Sequence, residues 1–211
     1  MTPAELNAID KSADLAKGFL SKILGPSAQE VGLMFADNFK IRRLKNQIKN
    51  LEKVRRIVEE ENITLKDVNL KVLVPYLDSV SLEEEESLQE KWANLFANYL
   101  DAEKVLSSTV YPSILAQLSS TDIEILDYLS KSPGKTINLK PLSNPASERW
   151  NFTDVINLLR LGILEEEFDY KTNEIQINHS GYTNNLEIVQ VGLDKYYFTI
   201  FGQEFYDACN R

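Results

Sequence analysis

Phe152-Thr-Asp-Val-Ile-Asn-Leu-Leu-Arg-Leu-Gly-Ile-Leu-Glu-Glu-Glu-Phe168 is where the chain changes its period. Phe152, Val155, Ile156, Leu158 and Leu159 recur at helical spacing, and Gly162 stands where a helix C-terminal glycine belongs. After it, Ile163–Phe168 reads as a strand, as do Glu174–Asn178, Leu186–Val191 and Lys195–Ile200. Gly192-Leu-Asp194, between the last two, reads as a hairpin turn, and a short helix from Gly202 to Cys209 closes the chain.

Working back from this stretch, Thr121-Asp-Ile-Glu124 has the spacing of a capping box. It opens a helix that buries Ile123, Ile125, Leu126 and Leu129, and Ser132-Pro-Gly134 ends it. Residues 135–147, rich in Lys, Ser, Asn and Pro, read mostly as loop. Helix, loop, helix, strand, hairpin and terminal helix is the layout of a winged-helix-like domain, expected over 119–211. Leu158-Leu-Arg-Leu-Gly-Ile-Leu164, with Tyr197-Phe-Thr-Ile-Phe-Gly202, resembles the way winged helices leave helix three and close the wing. Winged helices bind DNA, RNA and proteins alike, so the layout speaks for fold rather than function.

The N-terminal part, 1–118, reads as an α-helical region, so the expected class is mainly α with a C-terminal α+β part. Leu15, Ala16, Phe19, Leu20, Ile23 and Leu24 make an amphipathic helix that Gly25-Pro26 interrupts. It suits packing on the helical bundle better than a membrane interface, because its polar face is not strongly basic. A long helix from Ser27 to Glu60, ~50 Å at ~1.5 Å per residue, carries Ile41, Leu44, Ile48, Leu51, Val54 and Val58 in a narrow stripe. Pro75, among Leu70, Val72, Leu73, Val74 and Leu77, is expected to break any straight helix there. Ser81 followed by Glu83–Glu86 reads as a capping serine with acids at the positive helix end. The helix it opens places Leu88, Trp92, Leu95, Phe96 and Tyr99 in the core, and a further helix fits Val110–Leu118, with Pro112 in its first turn.

Composition narrows the chemistry. The chain has 211 residues, 43% of them hydrophobic, with 23 cations against 32 acids and a net charge of −9. An acidic surface repels phosphate backbones. One Cys, Cys209, and one His, His179, exclude an internal disulfide framework and a Cys/His zinc site. No apolar run approaches the ~20 residues of a membrane span, and no targeting signal is visible. A cytoplasmic, at most membrane-peripheral, protein without cofactors is expected.

Three stretches together resemble one known family. Ala28-Gln-Glu-Val-Gly-Leu-Met-Phe-Ala-Asp-Asn-Phe-Lys-Ile-Arg-Arg-Leu-Lys-Asn46 resembles the long helix of the Abi-alpha family, bacterial proteins associated with abortive infection. The Pro75 segment is similar to that family's proline-centred stretch. Glu90-Lys-Trp-Ala-Asn-Leu-Phe-Ala-Asn98, followed by Val110-Tyr-Pro-Ser-Ile-Leu-Ala-Gln-Leu-Ser-Ser-Thr-Asp122, resembles its central signature. The resemblance covers residues 28–130 well and the C-terminal part more loosely. It implies a phage-defence protein and carries over no catalytic residue.

Candidate sites from the residues themselves are few. Gly134-Lys-Thr136 mimics the end of a phosphate loop, but Leu129 stands where its first glycine belongs, so a helix stop is the better reading. Glu83–Glu86, and Glu165–Glu167 with Asp169, lack the partner of a metal nuclease and read as solvated acids. His179 lies in a polar loop and reads as a bystander. Asn62, Asn151 and Asn178 match glycosylation acceptors, read as accidental in a chain without a targeting signal. The electrostatic anomaly is Lys40, Arg42, Arg43, Lys45, Lys49, Lys53, Arg55 and Arg56, which with Glu52 give +7 and leave −16 on the rest. It serves as a solvated face, pairs with the chain's own acidic helices, or meets anionic lipid, nucleic acid or a partner protein.

The expected function is a non-enzymatic interaction protein of an abortive-infection or stress module, its partner another protein or a second copy. A winged-helix DNA-binding regulator and a membrane-peripheral effector are the alternatives. The expected recognition helix, Ser147–Leu161, carries Arg149 and Arg160 against Glu148 and Asp154, so its charge cancels. That balance favours a protein contact over duplex binding.

Overall fold

The computed structural model describes residues 41–106, 108–139, 149–175 and 185–211, with Leu15, Gly18, Phe19, Lys22 and Ile23. The described chain is mainly helical, with seven α-helices and one three-stranded antiparallel sheet. It forms two compact units. The first holds the described residues up to Ile123 together with Phe205–Arg211, and the second is Glu124–Glu204.

The first unit is built on α1 (Ile41–Glu60), α2 (Leu70–Leu82) and α3 (Glu86–Leu100), with a short α4 (Tyr111–Leu115). The apolar stripe of α1 behaves as its spacing dictates: Ile48, Leu51 and Val54 are buried. The expected start of this helix near Ser27 lies outside the described residues. Beside the stripe runs a row of polar side chains that caps the end of α2. Gln47 Nε2 donates to Leu77 O (3.0 Å), Asn46 Nδ2 to Ser81 O (3.2 Å) and Arg43 Nε to Ser81 Oγ (3.0 Å). Carbonyls in a helix's last turn have no partner in their own helix, and Asn46 of α1 supplies the donor for that of Ser81.

Pro75 does not break its helix, contrary to expectation: α2 is continuous across it. The pyrrolidine removes the N–H that would bond Lys71 O, but both residues are exposed, on the side of α2 away from the core. Val72, Leu73, Tyr76, Leu77 and Val80 hold the opposite face in the core. Ser81 is likewise no cap for α3. It belongs to α2 and donates to Asp78 O (2.6 Å), while Glu85 is the N-cap of α3 without a side-chain bond.

Leu88, Trp92, Leu95 and Phe96 of α3 are buried, as their spacing predicts. Tyr76 stacks on Phe96 with centroids 4.0 Å apart and meets Trp92 at 6.1 Å in a tilted arrangement. The C-terminal residues close this unit. Phe205 packs edge-on against Tyr111 at 5.7 Å, and Asn98 Nδ2 donates to Ala208 O (2.7 Å). Arg211 pairs with Glu61 and Asp101, each at 2.8 Å.

Helix α5 (Ser120–Lys131) is capped two residues earlier than expected, by Ser119 rather than Thr121. Ser119 Oγ accepts from Asp122 N (3.2 Å), and Asp122 Oδ2 accepts from Ser119 N (2.8 Å). Ser119-Ser-Thr-Asp122 and Thr121-Asp-Ile-Glu124 share one spacing. The earlier pair is the one that bonds.

The second unit contains β1 (Thr136–Asn138), α6 (Phe152–Arg160), β2 (Leu164–Ile175), β3 (Asn185–Phe198) and the start of α7 (Ile200–Ala208). Strand order is β1-β3-β2, antiparallel throughout. Strand β1 lies in a stretch expected to be loop. Only three residues long, with Ile137 alone buried, it has too few positions to display an alternation. Helix α6 starts at Phe152 rather than near Ser147, because Asn151 and Asp154 form a capping box there. Gly162 ends it as expected: at φ 69°, its N–H bonds Leu159 O (3.0 Å) and Ile163 N bonds Leu158 O (2.9 Å). These two bonds are the Schellman pattern.

Gly192-Leu-Asp194 is a bulge inside β3, not a hairpin turn. Glu166 pairs with Tyr196 and Phe168 with Gly192, so β3 carries the extra residues between these pairs. Asp194 takes φ 53°, and its N–H bonds Glu166 Oε1 (3.0 Å). Turn-type residues serve a bulge as readily as a turn, since both need a left-handed step.

Candidate functional site

On α1 the cations divide by their partners. Lys49 Nζ donates to Glu86 Oε2 (2.5 Å) and Lys53 Nζ to Glu86 Oε1, so one carboxylate in the first turn of α3 holds two lysines. Those two hydrogen bonds, Lys49 first, bring the Glu86 carboxyl down to about 2. Arg43 serves Ser81, and Arg55 lies 3.8 Å from Glu59. Lys45 and Arg56 are exposed and have no ion pair among the described residues. Lys40 lies outside the described residues, and Arg42 sits in α1 with its side chain undescribed. The expected anionic-partner surface is thus partly consumed by the chain's own acids. Its part without an ion pair among the described residues is Lys45 and Arg56.

The second candidate is the outer face of α6. Val155 and Leu158 point inward, while Phe152 is 53% exposed and Ile156 48%. Positions 152, 156 and 160 follow at one-turn spacing, so the solvent face carries two large apolar residues and one cation, Arg160, with Thr153 exposed and Asn157 half-buried beside them. Arg149 precedes the helix and is engaged: it pairs with Glu124 (2.7 Å) and lies 4.8 Å over the Trp150 ring. On β2, Phe168 and Tyr170 are exposed as well.

The other sequence candidates are structural. Gly134 (φ 74°) and Lys135 (φ 50°) form a turn into β1, with no phosphate-loop helix after them. Glu83 Oε1 accepts the N–H groups of Glu84 and Glu85 at 2.9 Å each. Glu167 pairs with Lys195 (2.5 Å), and Asn151 is a helix cap. His179 and Asn178 lie outside the described residues. Cys209 is buried, which pushes its thiol far up, so it stays a thiol.

The family called abortive infection alpha matches residues 38–209. The chain belongs to that family. No curated protein and no solved structure matches it. The match to abortive infection alpha takes in the cationic helix, the buried aromatics of α3 and the second unit. Within this family member, the stretches that carry the resemblance build the frame: Asn46 bonds α2, Trp92 fills the core and Asp122 caps α5. What sequence reasoning missed was the row Arg43, Asn46, Gln47 and Asn50. Its visible signal is a set of amides at helical spacing among cations. No helix among the described residues is long and apolar enough to cross a membrane.

Proposed function

We propose that this abortive infection alpha protein is a non-enzymatic interaction protein of a phage-defence module, acting in the cytoplasm through a protein contact on α6. The second unit is read as winged-helix-like, α6 standing where the recognition helix of such a domain would stand. The observation that carries the reading is the solvent face of α6: Phe152 and Ile156, with Arg160 as its single cation. Base edges and phosphates call for Arg, Lys, Asn and Gln. Exposed apolar side chains call for another apolar surface. The reading assigns no catalytic residue and no cofactor, and places the chain's role in binding alone.

The test is a phage challenge of cells carrying the intact gene or the pair Phe152→Asp and Ile156→Asp. Loss of protection at unchanged protein level and thermal midpoint is expected. Full protection by the pair excludes this face.

A further inference from the structure

The sheet of the second unit carries another surface, on a different face from α6's apolar pair. Alternate positions Glu165, Glu167 and Asp169 share one face of β2, an edge strand of the sheet. On that side opens a cleft of about 590 Å³ whose walls include Glu167, Tyr197, Phe198, Ile200, Gln203 and Glu204. Ile200 at its lip is 84% exposed. The resident cations are Lys195, held by Glu167, Lys135, bonded to Gln203 Oε1 (3.3 Å), and Lys171, the next position of the same alternation on β2. Glu165, Asp169 and Glu204 outnumber what remains, so the face is acidic around an aromatic-walled, open cleft.

Acids along an edge strand discourage another strand from adding there. They suit a helix that carries cations at one-turn intervals. Carboxylates at i and i+2 of a strand stand about 6.8 Å apart, and cations at i and i+4 of a helix about 6 Å apart. Lys45 and Lys49 on α1 have that spacing, and Arg56 returns to the side of Lys45 three turns on, while Lys53, 15% exposed, stays with Glu86. Long Lys and Arg stems also fit an aromatic-walled cleft, with the charged head left at the acids. Polyanions are poorer occupants of the cationic stripe, since the chain as a whole carries −9 and Glu86 already neutralises two of its lysines.

We propose that the cationic face of α1 in one copy docks on the acidic cleft face of β2 in a second copy. The contact is head-to-tail, using different patches on the two copies, and so can propagate into a ring or filament. It is independent of the α6 reading, and no variant below touches Phe152 or Ile156.

The experiment is sedimentation of the full chain over a wide concentration range at low and high salt. Self-association at low salt that weakens at least tenfold at high salt is expected. The pair Glu165→Lys with Asp169→Lys, and separately the pair Lys45→Glu with Arg56→Glu, should each be monomeric with an unchanged circular-dichroism melt. Mixing the two charge-reversed proteins should restore association, because each then offers the complement of the other. Ile200→Lys places a cation at the cleft lip and should weaken association without affecting the fold. A wild-type monomer throughout, association indifferent to either reversal, or a mixture that stays monomeric overturns the proposal. Binding of duplex DNA or anionic vesicles that competes with no self-association gives the α1 face to a polyanion instead, and overturns it too.

Discussion

Tyr76 donates its hydroxyl to Asn50 Oδ1 at 2.6 Å in the centre of the helical unit, joining α2 to α1. Asn50 Nδ2 in turn donates to Gln89 O (2.8 Å) and Gln89 Oε1 (2.5 Å), so one amide ties together three helices. Tyr76 and Asn50 are both buried, and burial drives the phenol well above its ordinary range. Each group in the chain depends on its partner, because an unsatisfied buried polar atom keeps its full desolvation cost.

Tyr76→Phe should therefore lower stability by about 1–3 kcal/mol, although it removes a single oxygen. Asn50→Leu should cost more, since it orphans the Tyr76 hydroxyl and the Gln89 side-chain oxygen. Urea denaturation of the purified proteins measures both. An unchanged midpoint for Tyr76→Phe would mean that this bond adds nothing to the bundle.

Trp92 is 1% exposed, packed near Tyr76 and beside Phe96 on α3. Trp92→Ala should cost about 3–5 kcal/mol through lost transfer energy and the cavity left behind. The same denaturation series reads it, and a loss below that of Tyr76→Phe would contradict its place in the core.

Gly202 tests the close approach of α7 to the end of α6. A Cβ at this position would lie 1.9 Å from Ile163 O and 2.7 Å from its carbonyl carbon. Thr199 holds the approach: its N–H bonds Ile163 O (3.0 Å), and its Oγ1 donates to Gly162 O (2.6 Å) and accepts from Gly202 N (2.8 Å). Backbone on one side and a capped helix on the other leave no flexible atom to yield. Gly202→Ala should thus destabilise the fold despite the better helix propensity of alanine. A raised thermal midpoint in this variant would show that the two segments separate freely.

These particulars also mark where sequence patterns carry information. Trp92 and Phe96 are four apart on one face, and no competing pattern explains that spacing, so their burial was legible. Gly162 was legible for the same reason: only one helix end needs it. Pro75 was not, because the cost of a helical proline depends on whether its orphaned carbonyl meets solvent, which tertiary packing decides. Gly192 and Asp194 suit a turn or a bulge equally, and pairing with Glu166 and Tyr196 chooses the bulge. The candidate α1 surface was legible as composition, but its partition was not. That Lys49 and Lys53 share Glu86, 33 or more residues away, is a long-range contact with no local signal.

That shared carboxylate gives a pH dependence of definite sign. The Glu86 carboxyl lies at about 2 in the fold and near ~4.3 in an unfolded chain. A depressed folded pKa stabilises above the unfolded value and is lost as pH falls through the folded one. Stability should fall between about pH 4.3 and 2, and Glu86→Gln should flatten that part of the curve. Because Glu86 is 54% exposed, the effect stays within the ~1 kcal/mol of exposed pairs. Asp101 adds to it with the same sign: burial pushes its carboxyl up, but Glu103 N–H and Arg211 outweigh that and lower it. Thermal midpoints of the wild type, Glu86→Gln and Arg211→Ala across this range measure both.

The last prediction separates a protein contact from duplex binding by the second unit. A groove-reading helix delivers cations and amides to base edges while flanking cations hold phosphates. Arg149 is occupied by Glu124 and Trp150, and Arg160 Nη2 donates to Asn157 Oδ1 (2.9 Å) beside the exposed Phe152 and Ile156. Glu165 and Asp169, exposed on β2, add acids rather than phosphate-holding cations to the same unit. Counterion release from such a surface is small, so affinity for duplex DNA should be weak and nearly flat with salt. The full chain, titrated with duplex DNA at low and moderate salt, should reach no sub-micromolar affinity. Arg149→Ala and Arg160→Ala should leave the titration unchanged, and Arg149→Ala should lower the thermal midpoint slightly through loss of its pair. Tight binding that weakens steeply with salt and vanishes with either arginine would make α6 a DNA reader. Binding lost instead with Lys45→Glu and Arg56→Glu would place the anionic partner on α1 and leave α6 to protein.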